Sequence, residues 1–419
     1  MTVDPRVPGG DKPDAPKRGE GITAKNTVLS NGGTQTMKMV TVGPIGCSGV
    51  GEAAKGLGEK FNDLRLGVVF LPHDADCETA IKVIKAALPN VPVVGCTSGS
   101  YAFTQRGGTT NGACMGFIRG NDIHVELGKI ERYSGDIKED AKKAIDAMKP
   151  FESKRHTLLT FTDYYGFDGS AFGDALDEIL PGDWCVLGGL AGDGMLMSGD
   201  AKVFCNDQVI KRGAVMARID CDSQPGMVAR HGFEITEPDE QFTVTERKGN
   251  VIYGLNGRPA VDAYCDALKR IGVLNDSVPF PGLINLAHPL GYTSVFGEGL
   301  VIRTPLMIKG KGLAMGGSFP PDKTVHICRS NRKSMTEIPG VVSKLSSKSS
   351  RSNREEQFHL VIDCAVRHYI LGKEYLAQVG NFRLTNDMPM LGFASYGEIM
   401  RSGLSSNCYH NCTAVSCVW

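Results

Sequence analysis

Apolar and polar positions along the first part of the chain predict strands and helices in turn. Leu66–Leu71 is a continuous apolar run, which is typical of a strand buried on both faces. Cys77–Leu88 places its apolar residues at helical spacing, and Pro89-Asn90 ends it. Val91–Cys96 is a second apolar run that leads into the small residues Thr97–Ser100. The segment therefore predicts a β-α-β unit, and open α/β sheets bind ligands at loops such as the one after its second strand.

A similar pattern recurs further along the chain. His156–Phe161 predicts a strand, Gly169–Leu180 a helix and Trp184–Leu187 a second strand. That strand ends in Gly188–Gly194, a run of glycines with one aspartate. Such a loop exposes several backbone N–H groups, which suit a bound ligand. A tight turn followed by a bulge explains the same glycines equally well.

The C-terminal segment predicts two buried strands. Leu391–Tyr396 is small and apolar, and Cys408–Trp419 runs to the end of the chain without proline, glycine or charge. A closing strand of this kind is an interior strand, so polar groups on and beside it must find partners. These groups are the first candidates for a site, and they are Glu398, His410, Asn411 and Thr413.

These patterns predict an α/β fold of the mixed α+β type, with two modules of mixed β-sheet flanked by helices. We place the modules at residues 37–240 and 241–419. Residues 1–36 are rich in Pro, Gly, Asp and Lys without periodicity, which predicts a disordered tail. The serine-rich and charged residues 343–357 predict a flexible insertion. Apolar runs on either side of Gly120-Asn121 predict a β-hairpin.

Composition narrows the class of protein. The formal net charge is zero, with 46 acidic and 46 basic residues, which disfavours binding to nucleic acid or to an anionic membrane. No apolar run reaches the length of a membrane span, and the N-terminal segment lacks the apolar centre of a signal peptide. The 13 cysteines are spread along the chain without a C-x-x-C pair. We therefore expect a cytoplasmic protein with free, buried thiols rather than a disulfide framework.

Six motifs lie in order along about Leu66–Trp419. They are Val93–Ser98, Gly188–Asp193, Leu255–Tyr264, His288–Gly291, Asp363–Arg367 with Leu371-Gly372, and Gly392–Ile399 with His410–Thr413. Taken together they resemble the FIST family (F-box and intracellular signal transduction), without an F-box. The resemblance implies a sensory module of signalling proteins that binds a small ligand, an amino acid or a related metabolite. The chain departs from the family at Gly99-Ser100-Tyr101, where the family carries a carboxylate. Because no kinase, cyclase or helical signalling domain follows the modules, we also expect a protein partner or self-association for output.

The motifs suggest which residues bind the ligand. Arg367 follows a buried strand and can fork onto a ligand carboxylate. The alternative is an internal ion pair between Arg367 and Glu398 that only holds the C-terminal strand in place. The expected ligand-binding residues are Cys96, Thr97, Gly189, Asp193, Cys364, Arg367, Glu398, His410, Asn411 and Thr413.

Other classes of function stay open at this point. Haem would need an axial ligand, for which His288, His368 and His410 are candidates, as some bacterial members of the family resemble haem-binding sensors. An enzyme could pair Cys96 or Cys364 with His410, although we expect binding rather than catalysis. A protein-interaction scaffold could use the insertion to hold a partner. The resemblance also allows an adaptor that recruits substrates, as in the FIST proteins of ubiquitin ligases. We expect no metal site, because successive side chains of a strand are too far apart for zinc.

Overall fold

The structure is a computed structural model, and it describes residues 37–153, 155–165, 168–293, 299–319, 324–352, 356–402 and 409–419. These residues belong to one structural unit, Gln35–Trp419. The tail that we predict to be disordered, residues 1–36, lies outside the described part of the chain.

Helices and strands follow one another in the mixed α+β arrangement that the sequence predicts. The helices in the described residues are α1 (Val50–Lys60), α2 (Cys77–Ala87), α3 (Ile137–Asp146), α4 (Gly169–Ile179), α5 (Ala260–Arg270), α6 (Leu283–Ala287), α7 (Arg332–Ser349), α8 (Ala365–Leu371) and α9 (Glu374–Val379). The strands are β1 (Lys38–Ile45), β2 (Leu64–Leu71), β3 (Val93–Thr97), β4 (Ala102–Thr104), β5 (Gly107–Thr109), β6 (Ala113–Arg119), β7 (His124–Ile130), β8 (Arg155–Thr162), β9 (Cys185–Leu190), β10 (Val203–Cys205), β11 (Gln208–Ile210), β12 (Ala214–Cys221), β13 (Gly226–Arg230), β14 (Phe233–Ile235), β15 (Phe242–Lys248), β16 (Val251–Leu255), β17 (Arg258–Pro259), β18 (Leu290–Thr293), β19 (Leu300–Arg303), β20 (Pro305–Lys309), β21 (Gly312–Met315), β22 (Thr324–Ser330), β23 (His359–Cys364), β24 (Met390–Ser395), β25 (Glu398–Arg401), β26 (Tyr409–His410) and β27 (Ala414–Val418).

Three β-α-β units form the framework of the fold. In the first unit, the parallel strands β2 and β3 are joined by α2. The Asp76 carboxylate accepts a hydrogen bond from the Thr79 backbone N–H at 3.1 Å, which fixes the start of α2. Ile81 and Ile84 are then fully buried against the sheet. β8, α4 and β9 form the second unit, and β23, α8, α9 and β24 form the third. The two units that the sequence predicts are confirmed.

Each β-α-β unit lies in a sheet of its own. The first sheet has the strand order β1-β6-β2-β3-β10-β11, the second β26-β25-β9-β8-β12-β7 and the third β13-β27-β23-β24-β4-β5. A fourth sheet has the order β19-β18-β22-β15-β16-β21-β20, with β14 and β17 added on β22 and β16. The second and third sheets combine strands from both sides of residue 240, where we place the module boundary. That boundary stays a prediction.

One apolar core joins the first three sheets. Its centre is a cluster of three aromatic rings, Phe70 from β2, Phe161 from β8 and Phe393 from β24. The ring centroids of Phe70 and Phe393 are 4.4 Å apart, and Phe161 lies 5.5 Å from Phe70 and 5.8 Å from Phe393. Aromatic pairs at these separations stabilise a core beyond the area they bury. Because each ring lies near the carboxyl end of its strand, the cluster brings the ends of the three units together.

One prediction about local structure is wrong. β6 and β7 do not form a hairpin, because β6 pairs with β1 and β2 while β7 pairs with β12 in another sheet. Residues 343–349 of the predicted insertion form the last turns of α7, and the flexibility of the insertion stays a prediction. Ser343 and Ser346 are fully buried, and the Ser346 hydroxyl donates to the Ser416 carbonyl of β27 at 3.0 Å. Small serines allow the helix to lie close to the strands, so a polar sequence packs here.

The C-terminal strand is buried as the sequence predicts. β27 pairs with β23 on one side and β13 on the other, and the Trp419 ring stacks on Phe358 at 5.3 Å. The apolar run is not one strand, however, since Cys412 adopts a left-handed conformation at φ 56°. This residue separates β26 from β27. The predicted strand beginning at Cys408 starts outside the described residues.

Gly188 lies in the second unit where two parallel strands approach closely, so we expect a larger residue there to destabilise the fold. Gly188 of β9 is paired with Thr160 of β8, and a Cβ atom at Gly188 would overlap the Thr160 carbonyl oxygen. We expect Gly188→Ala to lower the free energy of unfolding by about 2–3 kcal/mol, because the strands must separate. The control is Gly56→Ala in α1, where no atom lies within 4 Å of the added methyl group. That change should stabilise the protein by about 0.5–1 kcal/mol. Urea denaturation measures the free energy of unfolding of both variants. Equal changes in the two variants would contradict the close approach of β8 and β9 at Gly188.

Candidate functional site

The carboxyl ends of the three parallel strand pairs meet at one place. Three loops that follow these strands are held together by hydrogen bonds between their backbones. The Gly192 N–H donates to the Thr97 carbonyl at 3.0 Å, and the Gly99 N–H donates to the Ala394 carbonyl at 2.7 Å. The Tyr396 N–H donates to the Leu190 carbonyl at 3.0 Å. We call these three loops, residues 97–101, 190–199 and 394–397, the loop junction.

Asp193 is the central polar group of the loop junction. Its carboxylate is fully buried and accepts six hydrogen bonds among the described residues. The donors are the hydroxyls of Tyr164, Tyr396 and Ser198 and the backbone N–H groups of Met197, Ser198 and Gly199. Burial alone would raise the pKa of Asp193, but the hydrogen bonds from Tyr396, Ser198 and Tyr164 outweigh it and lower the pKa below 3.8. Asp193 therefore holds the glycine-rich loop in place as an ionised carboxylate.

Partly exposed groups surround the loop junction. The Ser100 hydroxyl oxygen lies 2.9 Å from Nδ1 of His368, which belongs to α8. Tyr165, Leu196 and Met197 are exposed by 44%, 54% and 45%. The loops thus carry a hydroxyl in contact with an imidazole and, in another loop, exposed apolar side chains, and both kinds of group occur in small-ligand sites.

Four of the predicted ligand-binding residues lie at or beneath the loop junction. Asp193 is saturated by its six partners, as described above. The Thr97 hydroxyl donates to the Gly192 carbonyl at 2.7 Å and is fully buried. Cys96 lies in the core, and a Cβ on Gly189 would press against Ile362. These residues shape the loops from below, and their role in binding stays a prediction.

Two tyrosines that contact Asp193, one in the loop junction and one beside it, were not predicted. Tyr164 lies two residues beyond the end of β8, and Tyr396 lies directly after β24. The signal that could have found them is their position, since polar residues just past buried parallel strands collect at one edge. Their rings meet edge to face at 4.9 Å above Asp193.

A second group of predicted residues surrounds Glu398. Its carboxyl group accepts hydrogen bonds from the Ser395 hydroxyl at 2.6 Å and from the Thr413 N–H at 3.1 Å. The Cys364 thiol lies beside it. His410 is opposite Glu398 in the pairing of β25 with β26. Asn411, the remaining member, donates from its side-chain amide to the Tyr409 hydroxyl at 3.1 Å. These contacts hold the end of the chain against β25.

The burial of Glu398 predicts a pH-dependent stability. Desolvation and the neighbouring Cys364 raise the pKa of Glu398 well above 4.5, so folding favours the protonated form of this carboxyl. The stabilisation is complete below pH 4.5 and declines as the pH rises toward the folded-state pKa. Glu398→Gln carries a neutral side chain of the same shape. Urea denaturation should find it equal to the unsubstituted protein near about pH 4 and more stable near about pH 8. The same difference at both pH values would show that folding does not raise the pKa of Glu398.

Arg367 does not reach the other predicted residues. It is fully buried, and its Nε lies 2.8 Å from Oδ1 of Asp363. Its Nη2 donates to the Met335 carbonyl at 2.9 Å and to the Gln378 side-chain oxygen at 3.1 Å. The structure is therefore closest to the alternative interpretation, in which Arg367 forms an internal ion pair. The acidic partner of Arg367 is Asp363, however, and not Glu398. The pair ties α8 to α7 and α9.

The other proposed chemistries can be placed on the structure. Nδ1 of His288 lies 3.0 Å from the Ile284 carbonyl oxygen, and Nδ1 of His368 lies 2.9 Å from the Ser100 hydroxyl oxygen. Because an axial histidine binds haem through Nε2 while its Nδ1 makes such a hydrogen bond, these contacts do not test haem binding. In the described part of the chain, no group of three His, Cys, Asp or Glu residues is placed to hold a metal ion.

The described cysteines are free, as predicted. Burial raises the pKa of Cys96 and Cys364 well above 9.0, which makes poor nucleophiles of them.

Two surface cavities lie away from the predicted residues. One of about 370 Å³ is lined by residues that include Lys55, Phe61 and Arg65. The other, of about 450 Å³, is lined by residues that include Tyr253 and Arg258. Neither is formed by residues of the loop junction. As for the membrane, no described helix has the length and apolar character that a crossing requires.

Comparisons with known proteins give one clear result. The model of the FIST N domain matches residues 65–258, and the model of the FIST C domain matches residues 260–401. No curated protein matches the chain significantly. Two structures of cyanuric acid hydrolase, one of them from A. caulinodans, are 10% and 9% identical and cover 92% of this chain and 99% of their own. Their TM-scores of 0.29 and 0.28 are too low to carry any argument. Because the two domain models together match most of the chain, this protein belongs to the FIST family.

Proposed function

We propose that this chain is a small-ligand-binding sensory module of intracellular signalling, and that its ligand is an amino acid or a related metabolite. The observation that supports the proposal is the meeting of the carboxyl ends of three β-α-β units at the loop junction. Ligands of α/β proteins bind at the carboxyl ends of parallel strands, because loops there combine backbone N–H groups with side chains from different strands. In this protein the carboxyl ends of all three units contribute to the loop junction.

The chemistry of the loop junction suits an amphipathic, carboxylate-bearing ligand. The carboxylates of Asp193 and Asp163 are already occupied by donors, which include the N–H groups of Tyr165 and Arg212 on Asp163. They leave little capacity to accept from a ligand cation. The N–H groups of Gly99, Gly192 and Gly194 are likewise bonded within the junction. The Ser100 hydroxyl and the His368 imidazole, which lie 2.9 Å apart, are the pair that we propose meets an anionic group. The exposed Leu196 and Met197 provide apolar contact for a side chain.

The output and location are part of the same proposal. We place the protein in the cytoplasm, where its free cysteines stay reduced. A protein partner, or a second copy of this chain, would read ligand binding.

The test is a thermal unfolding screen against the twenty free amino acids. At least one should raise the melting temperature, and a concentration of about 100 times Kd adds about 2.7 kcal/mol to the stability. Tyr164→Phe removes a hydroxyl that holds Asp193 and should weaken binding about tenfold, which corresponds to one hydrogen bond.

Tyr253→Phe is the matched control, since Tyr253 lies in β16 of the fourth sheet. It should bind as the unsubstituted protein does. A screen with no shift for any amino acid would contradict the proposal, and so would equal losses in the two variants.

A further inference from the structure

A serine and a histidine are joined across two of the β-α-β units. Ser100 lies in the loop after β3, and His368 lies in α8, directly after β23. The Ser100 hydroxyl oxygen and His368 Nδ1 are 2.9 Å apart, although the residues are 268 positions apart in the sequence. Both residues are only partly buried, so a small molecule can reach them. A hydroxyl within hydrogen-bond reach of an imidazole is the minimal arrangement for nucleophilic catalysis.

Neighbouring groups fix both side chains. The Ser100 N–H donates to the Ser98 hydroxyl at 3.2 Å, which holds the backbone of the loop. The His368 ring stacks on the fully buried Tyr375 ring, with centroids 4.4 Å apart and an angle of 16° between the planes. Arg367, the residue before His368, is anchored by its buried ion pair with Asp363. The contact is therefore held from both sides, which is what an efficient nucleophile and base require.

The protonation state of His368 agrees with a role as a base. Burial lowers the pKa of His368 below 6.5, so the imidazole is neutral at pH 7. With the proton on Nε2, Nδ1 accepts the hydrogen bond of the Ser100 hydroxyl. The buried cysteines that we considered as nucleophiles lack this arrangement, because their thiols stay protonated.

We propose that Ser100 is a nucleophile activated by His368, and that the pair transfers acyl groups from small esters bound at the loop junction. Ser100 Oγ forms a bond to the carbonyl carbon of the ester, and His368 Nδ1 takes the hydroxyl proton. The bond to the alkoxy group breaks, and the alcohol leaves with that proton. Water then attacks the acyl carbon and gives one proton to His368. The bond from that carbon to Ser100 Oγ breaks, His368 returns the proton to Oγ, and the carboxylic acid leaves. This activity goes beyond ligand sensing, which requires no bond to break.

The test is labelling with a fluorophosphonate, followed by intact-mass measurement of the full chain. Ser100 Oγ forms a bond to phosphorus, fluoride leaves, and His368 takes the hydroxyl proton. We expect one phosphonyl group on each chain, and peptide mass spectrometry should locate it on Ser100. Ser100→Ala should lose the label, and His368→Gln should slow labelling by about 100-fold or more, which is the usual contribution of a general base. The exposed Ser277 provides the control, and Ser277→Ala should label at the unsubstituted rate.

Peptide mapping of the unsubstituted protein keeps the test decisive even where a variant does not fold. Absence of the label, or a label on another residue, overturns the proposal. Equal labelling rates in folded His368→Gln and the unsubstituted protein overturn the pairing with His368. Amino-acid binding without any label would leave the sensory function standing and remove the catalytic one, whereas label without binding would do the reverse.

Discussion

Replacing Arg367 by methionine is expected to lower the free energy of unfolding by about 3–5 kcal/mol. The guanidinium and the Asp363 carboxylate are both fully buried, and Nε and Oδ1 are 2.8 Å apart. Removing the cation leaves the carboxyl group without its ionic partner in the interior. Burial already raises the pKa of Asp363 despite the opposing effect of Arg367. Urea denaturation of the two proteins measures the difference.

Two further variants separate the loss of charge pairing from the loss of packing. Asp363→Asn combined with Arg367→Met should recover part of the stability, because no carboxylate then remains buried. Arg329→Met breaks an ion pair with Glu234 whose side chains are 56% and 44% exposed, so it should cost less than about 1 kcal/mol. An Arg367→Met variant as stable as Arg329→Met would show that the buried pair does not hold α8 in place.

Replacing Asp193 by alanine is expected to cost about 3 kcal/mol or more, because six hydrogen bonds lose their acceptor at once. The loop junction should open, and amino-acid binding should be lost with it. The lowered pKa of Asp193 also makes the stability of the protein depend on pH. Its stabilisation is present above pH 3.8 and is lost as the pH falls through the folded-state pKa.

The neighbouring aspartate Asp200 is the natural control for Asp193. It pairs with Lys211, which is 55% exposed, and with Lys202, which is 14% exposed, and its own side chain is 45% exposed. Asp200→Ala should therefore cost less than about 1 kcal/mol. Denaturation at neutral pH compares the two variants, and a loss at Asp193 no larger than that at Asp200 would contradict the central place of Asp193.

Local patterns in the sequence predict the elements well but not their partners. The apolar runs and amphipathic segments locate β2, α2 and β3 to within a few residues. β6 and β7 were paired wrongly, because a turn sequence between two apolar runs does not say which sheet each run joins. The strand order of the first three sheets depends on long-range packing around Phe70, Phe161 and Phe393. No local pattern encodes that packing.

The residues of the candidate site were also predicted only in part. The sequence places Thr97, Gly189 and Asp193 just past predicted strands, and all three lie at or beneath the loop junction. In the structure Thr97 and Gly189 still belong to β3 and β9. Arg367 was assigned to a ligand, although Asp363 precedes it by four residues at a spacing that favours an ion pair on one side. The contact of Ser100 with His368 crosses two units and could not be read from either segment alone.

Hydrogen exchange followed by mass spectrometry, with and without the amino acid that raises the melting temperature most, tests the binding site most directly. The account predicts slower exchange in the described residues of the loop junction, 97–101, 190–199 and 394–397. Residues around the two surface cavities, which include Phe61 and Arg258, should exchange as before. Protection confined to a cavity, or unchanged exchange in all three loops, would contradict a ligand site at the loop junction.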